Sequence, residues 1–247
     1  MYQQLLRDLS DSNELPVDAI RRAEVNRDKL IAPFIAEIDR FVSLSAQERA
    51  RPNAIFFLFH MLGSWKAKSA YRSLAGLLRI DPDDLDLALG DAIAETSHRV
   101  MAAVFDGDPV PLFDIILDAD ADEAIRARMC ETLAMVSLRN ELPVQTTAEF
   151  LESAFFRIQP TRDNQVWLGW KNAIAMLGLS HLKPFVRKAF ERGAMEPELG
   201  TYRQFEEEDI AYVDNPPQPR PAWMEDEEYT LFGDTLDELS KWEREPS

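Results

Sequence analysis

Apolar residues in this chain recur at intervals of three and four and nowhere alternate convincingly, which is the periodicity of helices and not of strands. In DKLIAPFIAEIDRF, Leu30, Ile31, Phe34, Ile35, Ile38 and Phe41 fall on one helical face. Ala54 to Leu62 is apolar on nearly every side, as expected of a helix packed between two others. A partner follows over Tyr71–Leu78, and Asp81-Pro82 then supplies an N-cap and a first-turn proline for a short helix. Pro16 suits the first turn of another. The first fifteen residues are polar, and the expectation for them is partial order.

The stretch from Leu87 to Leu117 reads as helix, Asp-Gly-Asp-Pro turn, helix. Asp91 opens a helix with Ile93, Val100, Met101, Val104 and Phe105 on its apolar face, and Asp108-Pro109 restarts the chain for Leu112, Phe113, Ile116 and Leu117. Asp120 with Glu123, and Thr146 with Glu149, have the spacing of capping boxes for two further helices. Val166–Leu177 and Leu182–Phe190 complete the series, the latter closed by Gly193 as a C-terminal cap.

Phe34, Leu74, Leu112, Phe150 and Phe185 take similar places in the second helix of successive pairs, 40, 38, 38 and 35 residues apart. A helix pair of that period matches HEAT and armadillo arrays, in which no pair can bury its apolar face alone and neighbours stack into a continuous core. The fold expected is all-α: a right-handed α-solenoid of about five HEAT-like helix pairs over residues 1–205. The competing reading is an irregular helical bundle with a coincidental period.

Beyond Gly193 the pattern changes. Residues 206–247 read as an acidic, proline-containing linker and a C-terminal docking segment. An acidic run at Glu206–Asp209 precedes NPPQPRP (215–221), expected to be extended and semi-rigid. EYTLFGDTLDELSKW then offers Tyr229, Leu231, Phe232, Leu236, Leu239 and Trp242 as apolar anchors for docking.

Charge sharpens this division. The 247 residues carry a net charge of −17, of which 206–247, with 14 acidic and 3 basic residues, contribute −11. An acidic surface repels phosphate backbones, so no nucleic-acid partner is expected. No apolar run approaches the roughly 20 residues of a membrane span, and the N-terminus lacks the apolar core of a signal peptide; no membrane partner and a cytoplasmic location are expected. Cys130 is the single cysteine, which leaves neither an intrachain disulfide nor a cysteine zinc cage.

The phrases LGDAIAETSHRVMAAVFDGDP, DEAIRARMCETLAMV, WLGWKNAIAMLGL and EYTLFGDTLDELSKW together resemble an uncharacterised bacterial family, domain of unknown function 1186, described as a HEAT-like helical repeat. The likeness runs from about Leu30 to Trp242 and implies no established activity, substrate or catalytic residue. Some relatives carry a cysteine-rich SEC-C zinc motif at the C-terminus. No cysteine follows Cys130 here, so that module and any zinc-dependent binding are expected to be absent.

The best polar cluster is Asp91, Glu95, His98 and Arg99. Spacings of four and three place the first three on one helix face, and Arg99 lies four beyond Glu95, within reach of an ion pair. Such a face could do acid–base or metal chemistry. A polar network between repeats, or a solvated face, is the preferred reading. His60 and His98 are one repeat step apart, too far in a regular stack to share a metal, and His60 in FFLFHML reads as a core histidine. Cys130 reads as a buried structural thiol. Arg126 with Arg128, and Arg187 with Lys188 and Arg192, could line a groove; Trp65, Trp167 and Trp170 read as core anchors.

There is no phosphate loop, no dinucleotide fingerprint and no His-Glu dipeptide. No catalytic residue, no metal ligand and no cofactor is therefore assigned, and the protein is not expected to be an enzyme. The function expected is a non-enzymatic scaffold whose partner is another protein, with Asp91, Glu95, His98 and Arg99 as a binding patch. A hydrolase or metal enzyme using Asp91, Glu95 and His98 is the alternative.

Overall fold

A computed structural model describes residues 2–10, 14–195, 200–210 and 227–242. The protein is all-α, with no strand among the described residues. By contact the chain divides into two compact units, Met1–Asp106 with Leu231–Ser247, and Gly107–Thr230. This division differs from the sequence-based split after residue 205.

The first unit begins with α1 (Tyr2–Ser10), α2 (Val17–Val25), α3 (Arg27–Val42), α4 (Ala46–Arg49), α5 (Ile55–Ser64), α6 (Tyr71–Leu77), α7 (Pro82–Leu89), α8 (Ala92–Glu95) and α9 (Ser97–Val104). Within the polar N-terminal stretch, α1 is helical because Leu5 and Leu9, four apart, are buried and hold it against α2. Asp81 caps α7 as its sequence suggests, accepting from the Asp83 N–H at 3.1 Å with Pro82 at the first helical position. Arg49 locks the end of α3: its guanidinium donates to the Val42 carbonyl and to buried Asp84, each at 2.7 Å.

Helix α5 is buried almost throughout and packs on α3, α7 and α9, while α6 packs on α3 and α9. The α5–α9 approach is close because Gly63 lacks a side chain; a Cβ there would stand 2.9 Å from both Val100 methyls.

The second unit contains α10 (Val110–Leu117), α11 (Glu123–Leu138), α12 (Val144–Ala154), α13 (Val166–Met176), α14 (Lys183–Glu191) and α15 (Tyr202–Gln204), continued by a wider helical turn over Phe205–Asp209. Two caps differ from the sequence reading. Asp122, not Asp120, caps α11, accepting from the Ile125 N–H at 2.9 Å, because Asp120 stays in the preceding turn. Thr146 lies inside α12, which starts earlier behind Pro143. Gly193 closes α14 with φ of 70°, the left-handed geometry glycine favours.

Helix α11 crosses α13 so closely that a Cβ on Gly169 would stand 2.2 Å from the Ala127 carbonyl oxygen. Trp167 and Trp170 are fully buried beside this crossing, and their indole N–H groups reach the carbonyls of Pro160 and Leu151. Phe113 of α10 stacks on Phe150 of α12 with centroids 3.8 Å apart. The stretch 215–221 lies outside the described residues. Residues Thr235–Trp242 form α16, which belongs to the first unit and packs on α2 and α5.

Candidate functional site

The polar stretch singled out from the sequence does not form one helix face. The helix breaks at Thr96, whose φ of −130° ends α8 and starts α9. Ser97 donates its hydroxyl to the Ile93 carbonyl one turn back at 2.6 Å, and such a local bond competes with regular helix. Across the break, Asp91 and Glu95 remain exposed while His98 and Arg99 turn inward and are buried. Asp91, Glu95 and His98 therefore do not share a face, and the carboxylate on Arg99 is not that of Glu95.

That carboxylate is Glu238, on α16. Arg99 grips it with both terminal nitrogens, Nη2 to Oε1 at 2.6 Å and Nη1 to Oε2 at 3.0 Å. The side chains retain 9% and 12% of their exposure, so this is a largely buried two-pronged ion pair. Burial alone would raise the Glu238 carboxyl; hydrogen bonds from Arg99 override it and hold the group below the ordinary carboxylate value.

The contacts continue along the backbone. Arg99 Nη2 lies 3.4 Å from the Leu231 carbonyl, and the Phe232 N–H points at the Arg99 carbonyl at the same distance. Phe232 is buried, its ring 5.0 Å from the His60 ring and 5.7 Å from the guanidinium carbon of Arg99.

His60 forms the floor of this seat. Its Nδ1 faces the Phe56 carbonyl at 2.7 Å and its Nε2 faces the Thr96 hydroxyl at 2.8 Å. A carbonyl can only accept, so Nδ1 carries the proton and the Thr96 hydroxyl donates to Nε2. Burial depresses the imidazolium to a pKa of about 4 and keeps the ring neutral.

Local sequence shapes the occupant. Asp234 caps α16, accepting from the N–H groups of Leu236 and Asp237 at 2.9 and 3.1 Å. Glu238 folds back to the Gly233 N–H at 3.1 Å. The non-helical stretch before α16 and the first turns of the helix thus present Phe232, Thr235, Glu238 and Leu239 together; Phe232, Thr235 and Leu239 are buried. Leu231 and Leu236 are half-buried, and the side chain of Trp242 lies outside the described set.

A second polar cluster belongs to the other unit. Glu131, buried on α11, accepts from Arg128 Nη1 and Asn172 Nδ2 at 2.7 Å each, and the Tyr229 hydroxyl lies 3.4 Å away. Arg128 also meets Glu228 at 2.6 Å. Burial raises the Glu131 carboxyl against the pull of Arg128, and burial with Glu131 and Glu228 raises the Tyr229 phenol. Lys171 pairs with Asp209 at 3.0 Å.

Other candidates go elsewhere. Arg126 lines no groove: it is fully buried and donates to the carbonyls of Ile116 and Gln159 at 3.0 and 2.7 Å. Arg187 and Lys188 are exposed, and the guanidinium of Arg192 stands over the rings of Phe155 and Trp167, 4.4 and 4.2 Å from their centroids. Cys130 is buried, and burial pushes its thiol well above the ordinary range. No group of three or more His, Cys, Asp or Glu among the described residues could hold a metal, and no described helix is long and apolar enough to cross a membrane. Sequence reasoning missed Glu238, Thr235, Glu131 and Asn172. Glu238 alone left a signal, as a carboxylate between Leu236 and Leu239.

These features define an all-α protein in which a buried arginine holds a carboxylate from the C-terminal segment. The chain belongs to the family described as protein of unknown function (DUF1186), whose model matches residues 2–245. No curated protein and no solved structure matches it.

Proposed function

We propose that this protein is a non-enzymatic helical-repeat scaffold for protein–protein interaction, acting in the cytoplasm, with its helix pairs forming a right-handed solenoid of about five HEAT-like repeats. The packing of like on like within each unit supports the repeat: α5 against α9 and α3 against α6 in one, α11 against α13 in the other. Stacking of that kind is what a period near 40 residues requires.

One observation carries the functional reading. Arg99 is largely buried, yet its partners come from a segment 139 residues further along the chain, held by a two-pronged carboxylate contact and a buried aromatic. Buried arginines and aromatics in fitted pockets are the groups that dominate protein recognition.

The test is affinity capture with the full chain from cytoplasmic extract, followed by reconstitution of each captured protein as a purified complex. The expected result is a defined stoichiometric complex. Capture no different from that of an unrelated acidic helical protein would contradict the reading.

A further inference from the structure

Resting on that scaffold reading, we propose that the aromatic and basic surface where α14 meets the turn after α12 binds a short acidic segment of another protein, anchored by an aromatic residue. The surface lies wholly within the second unit and is formed by Phe156, Arg157, Arg162, Phe185, Lys188 and Arg192.

Charge singles it out first. Residues 153–195 carry seven basic side chains and two acidic ones, Asp163 and Glu191, in a chain of net charge −17, which leaves −22 on the rest. Even so, Arg157, Arg162, Lys188 and Arg192 form an ion pair with no carboxylate among the described residues. Arg203, an exposed arginine of the same unit, does pair, with Glu207 at 3.0 Å.

The cations are gathered around exposed rings. Phe185 and Lys188 on α14 and Arg192 at its end are three and four positions apart and share a face. Phe156 is 69% exposed, and its ring meets that of half-buried Phe185 edge-on with centroids 5.7 Å apart. Lys188 Nζ stands 5.8 Å from the Phe185 centroid. The Asp163 N–H donates to the Gly193 carbonyl at 3.2 Å, which brings the backbone of Arg162 beside the end of α14.

Arg192 is the most constrained of the four. Its guanidinium is held over Phe155 and Trp167, and its buried Nε and Nη2 have no hydrogen-bond partner among the described residues. Burial pulls its pKa below the ordinary arginine value, since ring faces and no anion offset the charge. A carboxylate brought to this surface supplies the missing counter-charge. Cations already fixed by rings also lose less freedom when a ligand docks.

These features select the occupant. Phe156 and Phe185 offer ring edges and faces to an aromatic side chain in the geometries such pairs prefer, and the cations flank it with sites for carboxylates. A nucleic acid offers rings and negative charge too, but its phosphates run on beyond the patch. There they meet the strongly acidic remainder of the chain, and repulsion acts over about 10 Å. A short acidic segment ends where the positive charge ends.

The experiment uses the full chain and two fluorescent acetylated decapeptides of aspartate and glutamate, one with a central phenylalanine and one with a central serine. A ten-nucleotide oligothymidylate of equal charge is the third probe. The phenylalanine peptide is expected to bind the wild type about five-fold or more tighter than either other probe, and more weakly as salt rises. R157E/K188E should weaken it about ten-fold or more, and F156S should remove the preference for phenylalanine over serine. R203E should leave binding within about two-fold of wild type. All four positions are exposed, so circular dichroism should match the wild type. The contrast between the two peptides lies on the probes and stands whatever the substitutions do to folding. Absence of binding, equal binding of the two peptides, or equal losses in R203E and R157E/K188E would overturn the proposal. Tighter binding of the oligonucleotide would overturn it by making this a nucleic-acid surface, and self-association abolished by F156S by making the occupant a second copy. A stoichiometric complex in the capture experiment alongside any of these results would keep the scaffold reading and put its partner on another face.

Discussion

Arg99 and Glu238 are 139 residues apart and meet through two hydrogen bonds of 2.6 and 3.0 Å in a nearly dry setting. Removing one member of a buried pair costs about 3–5 kcal/mol, because the survivor stays buried and unpaired. For Glu238 that cost is capped, since the tail can detach and return Arg99 to water. E238Q and F232A are therefore expected to free the tail without unfolding the helices. Limited proteolysis should cut both variants within 227–242 about ten-fold or more faster than the wild type, with the Tm of the body little changed. Combining the two should add little once the tail is already free.

The two helix crossings give a graded test of packing. G169A forces a Cβ to 2.2 Å from the backbone of Ala127, and backbone cannot swing aside; it is expected to cost more than about 3 kcal/mol in denaturant unfolding. G63A meets only the Val100 side chain at 2.9 Å and should cost about 1–3 kcal/mol. G76A, in α6 with nothing within 4 Å, should stabilise by about 0.5–1 kcal/mol through helix propensity.

The caps separate two neighbouring aspartates. D122A removes the acceptor for the Ile125 N–H and should cost about 1 kcal/mol, whereas D120A, exposed and outside α11, should stay within about 0.5 kcal/mol of wild type. Equal losses would place the start of α11 wrongly.

His60 makes stability depend on pH. Its folded pKa of about 4 lies below the ordinary 6.5, so the unfolded chain takes up the proton first. Its contribution is complete above pH 6.5 and declines as pH falls from 6.5 towards 4, by on the order of 3 kcal/mol. The Glu238 carboxyl, held below its ordinary value, adds a loss at still lower pH as it protonates. Chemical unfolding between pH 4 and 7 should show the steeper slope in the wild type and a shallower one in H60F.

The fold was legible where helix rules are local. Phe34, Phe41, Leu74 and Leu112 are buried as their spacing indicates, and Asp81-Pro82 starts a helix as written. Misplaced features have local causes too. Asp120 and Asp122 both precede Ile125, and only the chain's path through the turn selects the second. Only Leu5 and Leu9 of α1 are buried, so α1 depends on packing against α2 that composition does not show. The candidate site was legible only in part. Arg99 stood out, but sequence distance favoured Glu95 as its partner. The kink at Thr96, fixed by the Ser97 hydroxyl bond and by His60 from another helix, sends Arg99 inward instead. A partner 139 positions away has no local signal.

Hydrogen exchange at the amides of Phe232 and Gly233 tests the central relationship most directly, since they point at the Arg99 carbonyl and the Glu238 carboxylate. In the full-length wild type both should be protected, and in R99M both should exchange at the rate of an unstructured chain. Unprotected amides in the wild type, or protection that survives R99M, would contradict the seating of the tail by Arg99.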